Sequence, residues 1–161
     1  PIGGFLIGMS TALIYGYRQK LPFRRSLDAL TPGLAFFMIS IGVSHLLSGN
    51  AYGSPSRVPW AMYVWSDYRH PTQLYEIFLA LAIFTLVLPK VLPAHAPGIR
   101  FAQFVSLSAL ARVFLEAFRG DSVLWLDGYR AAQVMGLLVL IICIVLLRQW
   151  ERIEPNEASI W

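Results

Sequence analysis

Long apolar runs separated by short polar connectors dominate the pattern of this chain. Each run is close to the ~20 residues that a helix needs to cross a bilayer. The pattern therefore predicts an all-α fold, a polytopic integral membrane bundle of about five transmembrane helices. We place the spans at about 2–17, 30–48, 71–91, 101–118 and 130–148, so that one transmembrane domain covers 1–148.

The polar segments outside these spans differ in character. The segment 49–70 is rich in aromatic residues, which is typical of an aromatic belt at the membrane interface, although a short strand-like piece at 59–65 fits as well. Its aromatic residues include Trp60, Tyr63, Trp65 and Tyr68. The last segment, 149–161, is acidic and is expected to form a polar cytoplasmic tail.

Composition supports the membrane class. Apolar residues make up 57% and charged residues 14% of the chain, against roughly 25% charged residues in ordinary globular domains. The net charge of +4 could indicate a nucleic-acid partner, but loop cations that obey the positive-inside rule explain it better. The single cysteine, Cys143, offers no metal-ligand spacing. The sequence also has no Walker loop and no HExxH motif, so we predict no metal and no cofactor.

The distribution of cations predicts the orientation. If the connector 18–29 is cytoplasmic, most of the cations outside the spans lie on the cytoplasmic side, as the positive-inside rule requires. The cations left on the other side are Arg57, Arg69, Arg119 and Arg130. The segment 49–70 then lies outside the membrane, which in a bacterium is the periplasmic face of the inner membrane. The first span lacks a basic flank and a cleavage site, so we do not expect a signal peptide.

The fourth span carries an unusual polar stripe. Ser108, Arg112, Glu116 and Arg119 are spaced by four, four and three residues, which places them on one helix face. Arg112 and Glu116 could form a pair that only holds helices together. Ionisable residues inside a membrane span are, however, functional candidates by default.

Four ionisable side chains are expected at a similar depth in three helices. From the helical rise, Glu76 lies roughly 7 Å and His45 about 6 Å inside the outer ends of their helices. Glu116 and Arg112 lie about 6 and 12 Å below the end of the fourth span. Such a layer predicts a water-accessible cavity that suits an amphiphile with an anionic head and acyl tails. His45 alone could equally be a hydrogen-bonded core residue, and His70 could serve only at a helix start.

Several stretches resemble motifs of the bacterial prolipoprotein diacylglyceryl transferase family. Residues 70–76, His70-Pro71-Thr72-Gln73-Leu74-Tyr75-Glu76, are similar to its HPSQLYE motif. Residues 112–121 resemble its RFxxEFFRxPD stretch, and Asn50-Ala51-Tyr52-Gly53 with the later Pro59-Trp60-Ala61-Met62 resembles its E-x-Y/W-G…PWAM segment. Gln133 falls where the glutamine of the family's M-G-Q motif stands.

The resemblance implies a transferase of the bacterial inner membrane that needs no cofactor. The implied partners are membrane lipids, phosphatidylglycerol as donor, and a prolipoprotein signal peptide whose lipobox cysteine accepts the diacylglyceryl group. Arg112 is the candidate for stabilising the leaving phosphate, with Arg119 in support and Glu76 and Glu116 orienting the arginines. His45 is the candidate base. The remaining candidate substrate-binding residues are Asn50, Tyr52, Gly53, His70, Gln73 and Tyr75.

The chain also departs from the family pattern. Where the family has G-R-I-G-N-F-x-N-G-E, Gly42 stands for the arginine, His45 for the first asparagine and Asn50 for the glutamate. The H-G-G-L-I-G motif is matched by residues 3–8 without its histidine, and family members generally have seven spans. The chain is thus expected to be a truncated or divergent member. The alternative function is a catalytically inactive homologue that binds phospholipid or forms a membrane complex.

Overall fold

The computed structural model describes residues 2–92, 94, 96–125 and 128–153. The described chain is mostly helical. Its five helices are α1 (Ile2–Arg18), α2 (Phe23–Ser48), α3 (Thr72–Leu86), α4 (Ile99–Glu116) and α5 (Ala131–Ile153).

The helices differ from the predicted spans at three ends. Helix α2 begins at Phe23 rather than near residue 30, directly after Pro22, and its polar first turns are therefore helical. Helix α3 ends at Leu86 rather than near 91, shortly before Pro89. Helix α5 continues to Ile153, into the expected tail. The rest of that tail, 154–161, lies outside the described residues.

Two of the described helices are both long and apolar enough to cross a bilayer. They are α2 and the part of α5 from Ala131 to Trp150, whereas α3 is apolar but shorter. The predicted number of spans and the periplasmic location of 49–70 therefore stay predictions.

The helices pack as two close pairs around a small core. Helix α4 packs most extensively on α5, and α2 on α3, while α4 also contacts α2 and α3. The core between them contains Ala35, Ile83, Val87, Phe104 and Ala111. Helix α1 makes at most marginal contact with the other elements, and most of its described side chains are exposed.

Asp28 links α2 to the start of α4. Its Oδ2 accepts a hydrogen bond from the backbone N–H of Gly98 (2.6 Å), and its Oδ1 accepts one from the N–H of Phe101 (2.9 Å). The first N–H groups of a helix have no partner within the helix and favour a negative charge. One carboxylate from α2 therefore caps α4 and fixes its position along α2.

Two β-hairpins extend from the opposite end of the bundle. Strand β1 (Met62–Val64) pairs with β2 (Asp67–Arg69), and β3 (Leu124–Trp125) with β4 (Tyr129–Arg130). The predicted strand-like piece at 59–65 overlaps β1, but the all-α prediction omitted the hairpins. Trp65 and Ser66 form the first turn with positive φ values of 53° and 64°. Turns of this kind favour Asn and Gly, so a Trp-Ser turn gives little sequence signal.

The loop 50–55 is held between the start of α3 and the end of α4. Ser54 N–H donates to the carbonyl of Phe118 (2.8 Å), and Gly120 N–H donates to that of Tyr52 (3.0 Å). A Cβ atom at Gly53 would overlap the carbonyl oxygen of His70. The glycine is thus required by close backbone approach, and this contact fixes the loop beside both helix ends.

Candidate functional site

His45 and Glu76 form a close pair between α2 and α3. His45 Nδ1 lies 2.7 Å from Glu76 Oε2, and the side chains are 30% and 17% exposed. The sequence-based expectation that Glu76 orients an arginine is not met among the described residues, because its carboxylate contacts the imidazole instead. The packing of α2 on α3 decides this partner. It leaves Nε2 as the ring nitrogen not engaged by Glu76.

Gly42 lies one helical turn before His45 in the same seam. A Cβ atom at this position would lie 2.9 Å from Ile77 Cγ1 and 3.5 Å from Glu76 Cγ. Gly42 is buried, and the absence of a side chain lets α3 approach α2 closely. The position at which the family pattern has an arginine is therefore filled here by α3 itself.

Two side chains of α3 hold the loop that follows α2. Thr72 Oγ1 donates to the carbonyl of Ala51 (2.6 Å), and Gln73 Nε2 donates to that of Asn50 (2.9 Å). Ala51 has a positive φ of 55°, a conformation that costs about 1 kcal/mol or more for a non-glycine residue. Gln73 thus contacts the backbone of Asn50 and not its side chain, and Asn50 is exposed.

Arg69 secures the same loop from the other side. Its guanidinium lies 5.0 Å from the centre of the Tyr52 ring, and its Nη1 donates to the carbonyl of Gly53 (3.3 Å). Tyr52 and Gly53, both predicted binding residues, therefore lie in a loop fixed by the residue that precedes His70.

An apolar groove lies between α3 and α4, and polar groups line one part of its wall. It measures about 430 Å³ and is lined by Trp60, His70, Tyr75, Phe78, Leu79, Phe114 and Phe118. Trp60 Nε1 donates to the hydroxyl of Tyr75 (2.7 Å), and His70 Nδ1 lies 3.4 Å from the same oxygen. The Phe118 ring packs edge-on against the rings of both His70 and Tyr75. Such a groove can accommodate an acyl chain and offer hydrogen bonds to an attached polar group.

Arg112 and Glu116 form the predicted pair on α4. Arg112 Nη2 lies 3.5 Å from Glu116 Oε2; the Glu116 side chain is almost fully buried, whereas that of Arg112 is 43% exposed. Within the described residues, this carboxylate oxygen makes no hydrogen bond. A buried carboxylate needs its cationic partner, since an isolated buried charge is costly. Arg112 also lines a second groove of about 370 Å³ between α4 and α5, together with Ser108 and Gly136.

Arg119 forms an ion pair with Asp121 in the turn after α4. Its guanidinium makes two hydrogen bonds to Asp121, of 2.9 and 2.8 Å. Its carbonyl accepts a bond from Arg130 Nη1 (3.3 Å), which ties the turn after α4 to the start of α5. These contacts hold Arg119 in place, and its expected support of Arg112 stays a prediction.

The side-chain contacts among the described residues join the candidates in pairs, and the single layer stays a prediction. His45 pairs with Glu76, Arg112 with Glu116, and His70 with Tyr75, but neither groove described above is lined by both Arg112 and Glu76. Sequence reasoning omitted several contacting residues from the site: Trp60, Thr72, Phe118 and Asp121. All four lie inside the quoted motifs, so position within a motif was the available signal.

Comparison with known proteins gives consistent matches. A family model described as prolipoprotein diacylglyceryl transferase matches residues 2–149. A phosphatidylglycerol–prolipoprotein diacylglyceryl transferase of Nostoc sp. is 28% identical over 151 residues, covering 84% of this chain and 53% of the relative. The corresponding protein of Finegoldia magna is 26% identical over 152 residues, covering 93% of this chain and 60% of the relative. The chain therefore spans little more than half the length of these relatives.

Proposed function

The chain belongs to the prolipoprotein diacylglyceryl transferase family, and on that premise we propose that it transfers diacylglyceryl from phosphatidylglycerol to a prolipoprotein. The acceptor is the lipobox cysteine thiol. The resemblance predicted from the sequence motifs is confirmed by the match over 2–149. We place the protein in the bacterial inner membrane with its site towards the periplasm, among the lipids that supply its donor.

The proposed reaction exchanges one bond for another at a glyceryl carbon. The cysteine sulfur bonds to the carbon that carries the phosphate ester, the carbon–oxygen bond breaks, and glycerol phosphate leaves. The thiol must lose its proton, because the thiolate is the nucleophile. The site therefore has to supply a base and to stabilise the charge on the leaving phosphate.

His45 is the proposed base. Glu76 engages its Nδ1 at 2.7 Å, and a carboxylate in this position fixes the orientation of an imidazole. Nε2 then remains to accept the thiol proton. Glu76 is thus a positioning residue for His45 rather than for an arginine.

Arg112 is the proposed group for the phosphate. Its guanidinium can form paired hydrogen bonds to phosphate oxygens, and its partial exposure beside an apolar groove leaves it reachable from the lipid. The buried Glu116 holds it from one side. Arg119 would support it only through the geometry of the following turn, since Asp121 already binds its guanidinium.

The remaining candidates would hold the polar part of the substrates. Asn50, Tyr52 and Gly53 lie in the loop fixed by Thr72, Gln73 and Arg69, while His70 and Tyr75 lie at the α3–α4 groove. The single observation that carries the proposal is this combination of ion pairs with apolar grooves near one end of the bundle. An anionic lipid with acyl chains matches that combination.

The test is product formation by the purified full chain. We expect a lipobox peptide mixed with phosphatidylglycerol to gain the mass of one diacylglyceryl group. Arg112→Ala should lower the rate roughly 100-fold or more, as removal of a group that stabilises developing charge does. Arg57→Ala is the matched control, because Arg57 lies in the segment before β1 outside both grooves, and it should retain activity.

A wild-type chain that binds phosphatidylglycerol but forms no product would contradict the transferase proposal. It would favour the inactive lipid-binding homologue instead. Equal rates for Arg112→Ala and Arg57→Ala would leave the transferase and remove Arg112 from its mechanism.

A further inference from the structure

Trp60 connects the loop before β1 to helix α3 through one hydrogen bond. The residue is 61% exposed, yet its Nε1 lies 2.7 Å from the hydroxyl oxygen of Tyr75. The two residues are 15 positions apart, so the contact depends on how the loop folds back over α3. Both side chains line the α3–α4 groove.

The chemistry of the two groups fixes the direction of this bond. An indole N–H can only donate, whereas a phenol can both accept and donate. The Tyr75 oxygen must therefore accept from Trp60, and its own hydrogen has to point elsewhere. The only other polar contact of that hydroxyl among the described residues is His70 Nδ1 at 3.4 Å, longer than usual for a hydrogen bond.

We propose that Trp60 is a positioning residue that makes Tyr75 a hydrogen-bond donor to an oxygen of a phospholipid held in the α3–α4 groove. This inference rests on the proposed function and names the part of the site that holds the lipid. The acceptor is an ester carbonyl or a phosphate oxygen. The acyl chain lies along Phe78, Leu79 and Phe114, which continue the groove away from the polar groups.

The groove supports this occupant for a second reason. Phe78 and Phe114 are exposed by 67% and 52% although both lie within helices, so the groove opens sideways from the bundle. In a bilayer, the apolar groups next to this opening are the acyl chains of lipids. The polar wall at Trp60, His70 and Tyr75 then selects a chain that carries a polar group at one end.

The chain offers a matched control. Trp65 lies at the tip of the first hairpin, is 64% exposed, and donates its Nε1 to the carbonyl of Gly49 (2.9 Å). Trp60→Phe and Trp65→Phe each keep an aromatic ring and remove one exposed indole hydrogen bond. Only Trp60→Phe removes a bond to a groove residue.

The first measurement is the rate against phosphatidylglycerol concentration. Trp60→Phe should raise KM roughly 3- to 10-fold with little change in kcat, the size expected for loss of one hydrogen bond in binding. Trp65→Phe should stay within about twofold of wild type. Because Trp60 acts through Tyr75, the double variant Trp60→Phe/Tyr75→Phe should match Tyr75→Phe alone.

The second measurement does not need turnover. Native mass spectrometry of the purified full chain gives the affinity for phosphatidylglycerol and for diacylglycerol. Tyr75→Phe should weaken both ligands if its partner is an ester carbonyl, and phosphatidylglycerol alone if its partner is the phosphate. Trp60→Phe should show the same pattern to a smaller extent.

The inference and the proposed function can fail separately. If the wild-type chain forms no product but Trp60→Phe weakens lipid binding, the proposed function is wrong and the inference stands. If the wild type is active and Trp60→Phe has the same KM and the same lipid affinity as Trp65→Phe, the inference is wrong. The inference is also wrong if the fold losses in lipid affinity caused by Trp60→Phe and Tyr75→Phe multiply in the double variant.

Discussion

Two glycines of α2 show that the effect of an added side chain on helix packing depends on its position. A Cβ atom added at Gly33 would have nothing within 4 Å, whereas one at Gly42 would lie 2.9 Å from Ile77 Cγ1. Gly42 is where the family pattern has an arginine. An arginine at position 42 would therefore push α3 away from α2 and disturb the His45–Glu76 contact.

The comparison of Gly42→Ala with Gly33→Ala tests this directly. Both substitutions gain about 1 kcal/mol of helix propensity, so their difference isolates the overlap in the α2–α3 seam. We expect Gly42→Ala to be less stable than Gly33→Ala by about 1–3 kcal/mol, the cost of overpacking a core. Denaturant titration in detergent measures the free energy of unfolding. Equal stabilities would show that Ile77 moves aside without cost.

At the scale of elements, α4 carries Arg112 and Glu116 near one end and is capped by Asp28 at the other. Its N-terminus also contacts the end of α3, because Arg100 Nη1 donates to the carbonyl of Val87 (2.7 Å), the residue that follows α3. The two links fix how far α4 slides along its neighbours. The depth of the Arg112 guanidinium follows from them.

Asp28→Ala should destabilise the bundle by about 1–2 kcal/mol, because it removes the carboxylate that accepts from the N–H groups of Gly98 and Phe101 at the start of α4. Asp67→Ala is the control, since Asp67 is exposed and, among the described residues, its carboxylate accepts a hydrogen bond only from the N–H of its neighbour Tyr68. It should change the free energy of unfolding by less than about 0.5 kcal/mol. The same titration measures both, and an Asp28→Ala variant as stable as Asp67→Ala would refute the capping role.

For the whole molecule, the alternation of helix directions places Asp28, Arg100 and Trp150 at one end and the hairpins at the other. Arg24 lies 4.6 Å from the Trp150 ring at the first end. Because cations are in excess in the connector 18–29 and near Lys90, the positive-inside rule predicts that this end is cytoplasmic. On that prediction, we expect the grooves and the loop 50–55 in the periplasmic half.

Cysteine labelling in whole cells tests this orientation. In a Cys143→Ser background, Ser56→Cys should react with a membrane-impermeant maleimide in intact cells. Gln19→Cys, which is exposed in the connector after α1, should react only after the membrane is opened. Labelling of Gln19→Cys in intact cells with protection of Ser56→Cys would reverse the assigned topology.

The sequence by itself determined the helical elements and the set of chemical groups, because apolar length and residue type are local properties of the chain. It predicted five helices near their observed positions and the Arg112–Glu116 pair, whose spacing of four residues brings them together within one helix. For the first hairpin it gave only a strand-like alternative at 59–65, because the Trp65-Ser66 turn lacks the residues that favour positive φ, and it missed the second hairpin.

Only the tertiary structure decided which distant groups meet. Glu76 contacts His45 across 31 residues instead of an arginine, and Trp60 reaches Tyr75 rather than serving only in an aromatic belt. Such partners depend on helix register and loop path, and a shift of one residue rotates a helical side chain by about 100°. Periodicity gives the face on which a side chain lies, but packing against a neighbouring element selects the atom it touches.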